Sequence, residues 1–149
     1  MRRGVKFHDG SEVKAADVVY SLEQILAQGK GAAALFKSMI EPGKAKAIDD
    51  YTVAFELTKP SAIFLSIVPE IHIVNAALVK KNEVNGDWGA AWLSKNDAGS
   101  GAYKLKQFDP AVGFVAERFP LISRAGDRNI WMRSSSALLR TPTPASSDL

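Results

Sequence analysis

The sequence predicts a mixed α/β fold of the α+β kind, on three observations. Apolar residues with helical spacing form one stripe, which predicts a strong helix: Val18, Val19, Leu22, Ile25 and Leu26. Two pairs of runs, 45–48 with 53–57 and 103–108 with 113–119, have the spacing and turn residues of β-hairpins. Helices and strands do not alternate in a regular βαβ rhythm, which argues against a doubly wound parallel sheet.

The N-terminal elements follow from local signals. Residues 5–8 predict a short strand that ends at the turn residues Asp9 and Gly10. The main helix has Asp17 in its first turn, where a carboxylate favours the helix dipole, and Gly29 as its stop. A second, shorter helix is expected over residues 32–39.

The middle of the chain predicts a hairpin followed by two short helices. The hairpin strands at 45–48 and 53–57 are joined by an acidic turn, Asp49-Asp50. Two polar residues are expected to cap the helices: Ser61 a helix that runs through Ile67, and Asn75 a helix over 76–81. Residues 71–74 between them predict a brief strand or an extended run.

The C-terminal part predicts a second hairpin and then a change of character. Trp88 and Trp92 are four residues apart, which places them on one face if that stretch is helical. A glycine-rich segment, 98–101, precedes the hairpin strands. Residues 121–149 are rich in serine, threonine and proline and are expected to be a disordered tail, so residues 1–120 form the predicted domain.

Composition excludes several classes of function. The 149 residues are 46% hydrophobic and carry 19 Lys+Arg against 16 Asp+Glu, so an ordinary domain with no strongly basic face is expected, and nucleic acid is a poor partner. Without cysteine, disulfides, thiolate nucleophiles and zinc–thiolate sites are excluded. No apolar run has the length of a membrane helix or of a secretory signal, so this chain is expected to remain cytoplasmic.

Two pairs of neighbouring polar residues are better explained by local structure than by catalysis or metal binding. His8 and Asp9 could form an acid/base pair, but neighbours in a strand point to opposite faces. Asp49 and Asp50 could bind a cation, but further oxygen ligands do not follow at a suitable spacing. A strand end and a solvated turn explain these pairs better.

The segment Gly99-Ser100-Gly101 is better explained as a tight turn than as a phosphate or nucleophile motif. A phosphate loop ends in Gly-Lys-Ser/Thr and opens a helix, whereas this segment precedes a strand. A nucleophile elbow has the pattern Gly-x-Ser-x-Gly, and here the glycines flank Ser100 directly.

Two further pairs offer alternatives. Trp88 and Trp92 could form an aromatic platform for a ligand, although paired tryptophans on a helix more often pack into the core. Glu70 and His72 would share a strand face, so an acid/base couple is geometrically possible without a third group to orient it. A small stand-alone α+β enzyme of the hydrolase type that uses Glu70 and His72 is therefore the alternative function.

Three ordered stretches carry a resemblance to a known family. They are RGVKFHDGS at 3–11, ADVVYSLE at 16–23 and GSGAYKL at 99–105, the last followed by Glu117-Arg118. In this order and spacing they resemble the extracellular solute-binding proteins of family 5, the dipeptide- and oligopeptide-binding components of ABC importers. The segments 49–53 and 57–60 fit the same family.

The resemblance implies a fold and a function. It implies part of a periplasmic-binding-protein-like type II fold, namely the small second domain and the start of the return into the main lobe. It implies a periplasmic receptor that captures a peptide or similar small solute and passes it to an ABC permease in the membrane, without chemistry of its own. The sequence indicates no catalytic residue, metal ligand or cofactor, and the resemblance assigns no ligand-binding residue to this chain.

The two ends of the chain depart from the family pattern. Lys14 stands where the family usually has a serine or threonine cap, so a looser helix start is expected. Family members are several times longer, so a partial, non-functional copy is a further hypothesis for this chain. Codons for residues 132–137 can be read one base earlier as Asp-Glu-Ile-Val-Phe-Arg, the family's continuation, which predicts a frameshift near residues 120–122; a genuine divergent tail is the alternative.

Overall fold

The computed structural model describes residues 1–111, 113–120 and 136–139. Within these residues it has the predicted mixed α/β character. The elements in chain order are α1 (Ala15–Gln28), α2 (Ala33–Phe36), β1 (Ala45–Asp49), β2 (Thr52–Phe55), α3 (Ile63–Ile67) with a 3-10 turn (Val68–Glu70), α4 (Ala76–Lys81), α5 (Ala90–Leu93), β3 (Tyr103–Asp109), β4 (Gly113–Arg118) and β5 (Ser136–Leu139).

Helix α1 is the central element, and its predicted bounds are confirmed. Gly29 ends it in the left-handed conformation, with φ of 67°, and donates its N–H to the Ile25 carbonyl. Lys14 makes no side-chain cap, but its backbone N–H donates to Asp17 Oδ2 at 2.8 Å, so the carboxylate of the first turn orders the helix start instead.

The apolar core divides into two clusters around α1. The first lies against α2, the β1–β2 hairpin and α3; its buried members are Leu22, Leu26, Phe36, Ile40, Ala45, Phe64 and Ile71. The second lies between α1 and α4; its buried members are Tyr20, Ala76, Val79 and Ala98. Opposite sides of one helix therefore hold two packing units together.

Both predicted hairpins are present. Strands β1 and β2 pair antiparallel, with an irregularity between Ala47 and Asp49. Strands β3 and β4 pair antiparallel from Tyr103 with Arg118 to Asp109 with Gly113, with an irregularity between Leu105 and Gln107. In the described part of the chain, no helix has the length and apolar character needed to cross a bilayer.

Three local predictions need correction. Residues 5–8 form no strand, because the chain turns back within Phe7–Ser11 and makes only a single bridge, Lys6 with Glu12. Helix α2 covers four residues instead of the eight predicted. Ser61 does not cap α3, which begins after Ala62 without a side-chain cap. Residues 71–74 are an extended run, one of the two alternatives predicted for them.

The tail prediction also needs correction where the structure describes it. Residues 136–139 form β5, which pairs antiparallel with β4 from Phe114 with Leu139 to Glu117 with Ser136. The physical reason is that one edge of β4 offers unpaired backbone groups to any extended segment in reach. The other residues of the predicted disordered tail lie outside the described residues.

Candidate functional site

A polar junction joins the N-terminal segment to the loop before β3. His8 Nδ1 lies 2.6 Å from Asp97 Oδ2, and His8 Nε2 lies 2.9 Å from the carbonyl oxygen of Gly101. The His8 backbone N–H also donates to the Gly99 carbonyl at 2.9 Å. The side chain of His8 is only 9% exposed, and its ring meets the Phe119 ring edge to face at 4.9 Å.

Asp97 is the hub of this junction. Its carboxylate accepts the N–H of Gly99 at 2.8 Å and that of Leu105 at 2.9 Å, besides its contact with His8. Partial burial acts to raise the pKa of Asp97, but these backbone bonds and His8 together outweigh burial and lower it below its ordinary value. The ionised carboxylate therefore fastens the start of β3 to the N-terminal segment.

Asn75 and Asp17 extend the junction to α4 and α1. Asn75 caps α4 as predicted, by accepting the Leu78 N–H at 3.0 Å. Its side-chain amide donates to Asp9 Oδ2 at 2.7 Å and to Ser11 Oγ at 3.0 Å. Asp17 Oδ1 accepts the Ala76 N–H at 3.1 Å, which ties the two helix starts together.

The His8–Asp97 pair has the spacing of a catalytic dyad but not its open nitrogen. In such a dyad the second ring nitrogen faces a nucleophile or a substrate. Here His8 Nε2 is occupied by the Gly101 carbonyl, and Asp97 is occupied by two backbone N–H groups. The arrangement positions backbone segments and leaves no ring nitrogen free for proton transfer.

The two pairs of neighbouring residues, His8 with Asp9 and Asp49 with Asp50, form structural hydrogen bonds and ion pairs and not a catalytic or metal site. His8 pairs with Asp97 and not with Asp9, whose carboxylate instead accepts from Ser11 and Asn75. Asp49 accepts the Tyr51 N–H at 2.7 Å, a bond that contributes most to lowering its pKa. Asp50 pairs with the Lys14 ammonium at 2.8 Å. Within the described residues no group of His, Asp and Glu side chains could hold a metal ion.

The Glu70–His72 hypothesis rested on a shared strand face, and that premise is wrong. Glu70 ends the 3-10 turn, and His72 lies in the extended run that follows. Both side chains belong to exposed residues, and in the described part of the chain no hydrogen bond or ion pair joins them. Nothing in the structure assembles an acid/base couple from these residues.

Trp88 and Trp92 do not share a helix face, because only Trp92 lies in α5. Trp88 precedes the helix in a left-handed conformation, with φ of 55°. Both rings are partly buried against the cluster of Tyr20 and Val79, which agrees with the prediction that they pack into the core.

Asp97 was the residue that sequence reasoning missed. Its Asp-x-Gly pattern is the local signal that could have indicated an oxygen accepting the N–H two residues later, as Gly99 N–H does here. The glycine at 99 was correctly interpreted as part of a turn: a Cβ there would lie 3.2 Å from Asp97 Oδ1. Its partner His8, 89 residues away, had no local signal.

Comparison with solved structures defines the class of protein. The fold matches the periplasmic binding protein DppA of Helicobacter pylori in complex with the peptide STSA, with a TM-score of 0.70 over 95% of this chain and 30% of that chain, at 19% identity. It also matches the binding protein AgaA of A. tumefaciens R10 in complex with agropinic acid, with a TM-score of 0.67 at 31% identity, over 85% of this chain and 24% of that one. The chain thus has part of the periplasmic-binding-protein fold.

Sequence comparison then gives the family. Residues 1–122 match the family described as bacterial extracellular solute-binding proteins, family 5 Middle, and the chain belongs to that family. It is 34% identical over 117 residues to the probable D,D-dipeptide-binding periplasmic protein DdpA of Escherichia coli K12, and 32% identical to a dipeptide-binding protein of the same organism. The matches cover 77% and 72% of this chain but only 22% and 23% of those relatives.

Proposed function

We propose that this chain is part of the substrate-binding component of an ABC importer. The protein to which it belongs would capture a peptide or similar small solute in the periplasm and deliver it to a membrane permease. Family membership over residues 1–122 supports this proposal, and so do relatives whose names specify dipeptide binding. Because the chain spans about a quarter of those relatives, solute and permease belong to the proposal.

The observation that carries the proposal is where the three motif stretches meet. His8 of the first stretch contacts the Asp97 carboxylate and the Gly101 carbonyl of the third stretch. Asp17 of the second stretch accepts the N–H of Ala76, the residue that follows Asn75, and Asn75 binds Asp9 of the first stretch. The residues that carry the resemblance therefore build one structural unit. We infer that this junction fixes the small domain on the strands β3 and β4, which return toward a larger lobe.

The proposal assigns no chemistry to the chain. The histidine of the junction has both ring nitrogens occupied, and Glu70 and His72 are exposed without a mutual bond among the described residues. A binding protein needs rigid domains that close around a ligand, and a closed hydrogen-bond network provides that rigidity.

We further propose that residues 1–120 are one domain portion and that the chain beyond them results from a frameshift. The test is to resequence the gene with about two kilobases on either side. A single base that restores an open frame through Asp-Glu-Ile-Val-Phe-Arg would support the frameshift. An unchanged frame would mean that the tail is genuine.

The binding function is tested on the protein that the restored frame encodes. Isothermal titration calorimetry with a panel of dipeptides and tetrapeptides should give saturable binding. Small-angle scattering should show that the radius of gyration of the protein decreases at saturating peptide. Asp97→Asn should leave the solute contacts intact but reduce the compaction. Absence of both binding and compaction with every peptide would contradict a peptide receptor.

A further inference from the structure

A cavity of about 410 Å³ lies on the face of the domain between α1 and the end of α4. No side chain of the junction is among the residues that line this cavity. Its lining residues are Ala16, Val19, Tyr20, Glu23, Lys80, Glu83 and Trp88. An apolar floor, two aromatic rings and three charged groups therefore meet in one concave surface.

Tyr20 is the unusual member of this lining. Its side chain is 7% exposed, and its hydroxyl is the one buried side-chain polar atom in the described part of the chain without a hydrogen-bond partner. Buried hydroxyls are normally satisfied, so an unpartnered one is exceptional. Burial, with the charges of Glu83 and Asp87, raises the pKa of this phenol, which keeps it neutral.

Trp88 is held in place at a cost in backbone strain. A left-handed φ of 55° is unfavourable for so bulky a residue. Asp87 stabilises the loop by accepting the N–H groups of Val84, Gly89 and Ala91, and Gln24 donates its amide to the Trp88 carbonyl at 2.5 Å. The result is that the Trp88 ring lies 5.5 Å from the Tyr20 ring, tilted by 40°. Strain of this kind clusters at binding sites.

The cavity contains a cation–π contact between two of its own side chains. The Lys80 ammonium lies over the Tyr20 ring, 5.0 Å from its centroid. Among the ion pairs of the described residues none includes Lys80, Glu23 or Glu83. Each carboxylate accepts one backbone N–H instead, Glu23 that of Gly43 at 2.8 Å and Glu83 that of Trp88 at 3.4 Å. The lining carries two carboxylates against one ammonium, which leaves it net negative.

We propose that this cavity is a binding site for a small organic ammonium compound with an aromatic or apolar body. The body would lie on Val19 and Trp88, while the ammonium would replace that of Lys80 over the Tyr20 ring, close to Glu23 and Glu83. The Tyr20 hydroxyl has almost no accessible surface, so the face of the ring, and not the hydroxyl, would contact the ammonium. The site is independent of the solute-capture function proposed above.

The test compares two probes of similar shape and opposite charge, phenethylammonium and 3-phenylpropionate, on the 149-residue chain. Binding is followed by two-dimensional NMR of the tryptophan indole N–H groups, with Trp88→Phe identifying the Trp88 signal. We expect the Trp88 signal to shift saturably with the ammonium and not with the carboxylate. Equal or stronger binding of the carboxylate would overturn the proposal.

Charge variants separate a cation site from a merely apolar groove. Lys80→Gln removes the internal competitor and should tighten ammonium binding by about threefold, whereas Glu83→Gln should weaken it by a similar factor. Glu41→Gln, an exposed carboxylate outside the cavity, is the matched control and should change nothing. Circular dichroism checks that each variant is folded. Weaker binding in folded Lys80→Gln would contradict the proposal.

Discussion

The Nδ1 atom of His8 lies 2.6 Å from the Oδ2 atom of Asp97, although 89 residues separate them in the chain. Neither residue lies in a helix or a strand, yet their contact joins the N-terminal segment to the start of β3. Because the partners are largely shielded from water, this hydrogen bond stabilises the fold more than an exposed ion pair does.

The first prediction concerns this contact. Asp97→Ala leaves His8 and the N–H groups of Gly99 and Leu105 without their acceptor, so we expect the free energy of unfolding to fall by about 2 to 3 kcal/mol. Urea denaturation followed by circular dichroism measures it. Asp50→Ala, which breaks the exposed pair with Lys14, is the matched control and should have a much smaller effect. Equal losses in the two variants would show that the junction is not specially stabilising.

The second prediction concerns the pH dependence of the free energy of unfolding. The pKa of Asp97 is lower in the folded protein than in the unfolded chain, so the folded state binds this proton less readily. Its stabilisation is complete above the ordinary aspartate range and is lost as pH falls through the lowered folded pKa. Asp97→Asn should therefore be less stable than the parent chain near pH 7, with the difference shrinking toward pH 3. Urea titrations at several pH values measure the two curves, and parallel curves would contradict the assignment.

The third prediction concerns the loop before α5. Gly89 has φ of 70°, and a Cβ there would lie 2.4 Å from Val79 Cγ1. Gly86 has a similar φ of 74° but open space around it, so it is the matched control. Gly86→Ala should cost about 1 to 2 kcal/mol from backbone strain alone, and Gly89→Ala should cost about 1 to 3 kcal/mol more from the clash. Thermal unfolding of both variants measures the difference.

The fourth prediction concerns the first core cluster. Phe36 is fully buried and meets the Phe64 ring at 6.4 Å, so Phe36→Ala leaves a cavity and should cost about 3 to 5 kcal/mol. Leu65 is 76% exposed on α3, and Leu65→Ala should stay within about 0.5 kcal/mol of the parent chain. Urea denaturation of both variants tests the contrast, and a large effect of Leu65→Ala would mean that its face is covered in solution.

Elements whose signals are local were predicted well. The stripe of α1 and the stop at Gly29 were confirmed because helical periodicity and a left-handed glycine act within a few residues. The cap at Asn75 was confirmed for the same reason, since its acceptor contacts an N–H three residues away. Both hairpins were confirmed because turn residues and alternation are also short-range features.

Other features depend on partners that are distant in sequence. Residues 5–8 have strand-like composition, but they find no neighbouring strand and make a single bridge. Trp88 adopts its left-handed conformation with both of its backbone groups bonded: Glu83 accepts its N–H at 3.4 Å, and Gln24, from α1, donates to its carbonyl at 2.5 Å. The strand at 136–139 forms against the open edge of β4, despite its position in a segment whose composition predicted disorder.

By itself the sequence determined the mixed α/β class, the main helix, both hairpins and the family. Periodicity, turn residues and ordered motifs are all patterns of residues along the chain, so they can be recognised without knowledge of the tertiary contacts. Only the tertiary structure decided that His8 binds Asp97 instead of Asp9, and that Tyr20, Lys80 and Trp88 enclose a cavity. The physical reason is that side-chain partners are selected by packing in three dimensions. Asp9 adjoins His8 in the chain, but folding places the Asp97 carboxylate against its ring.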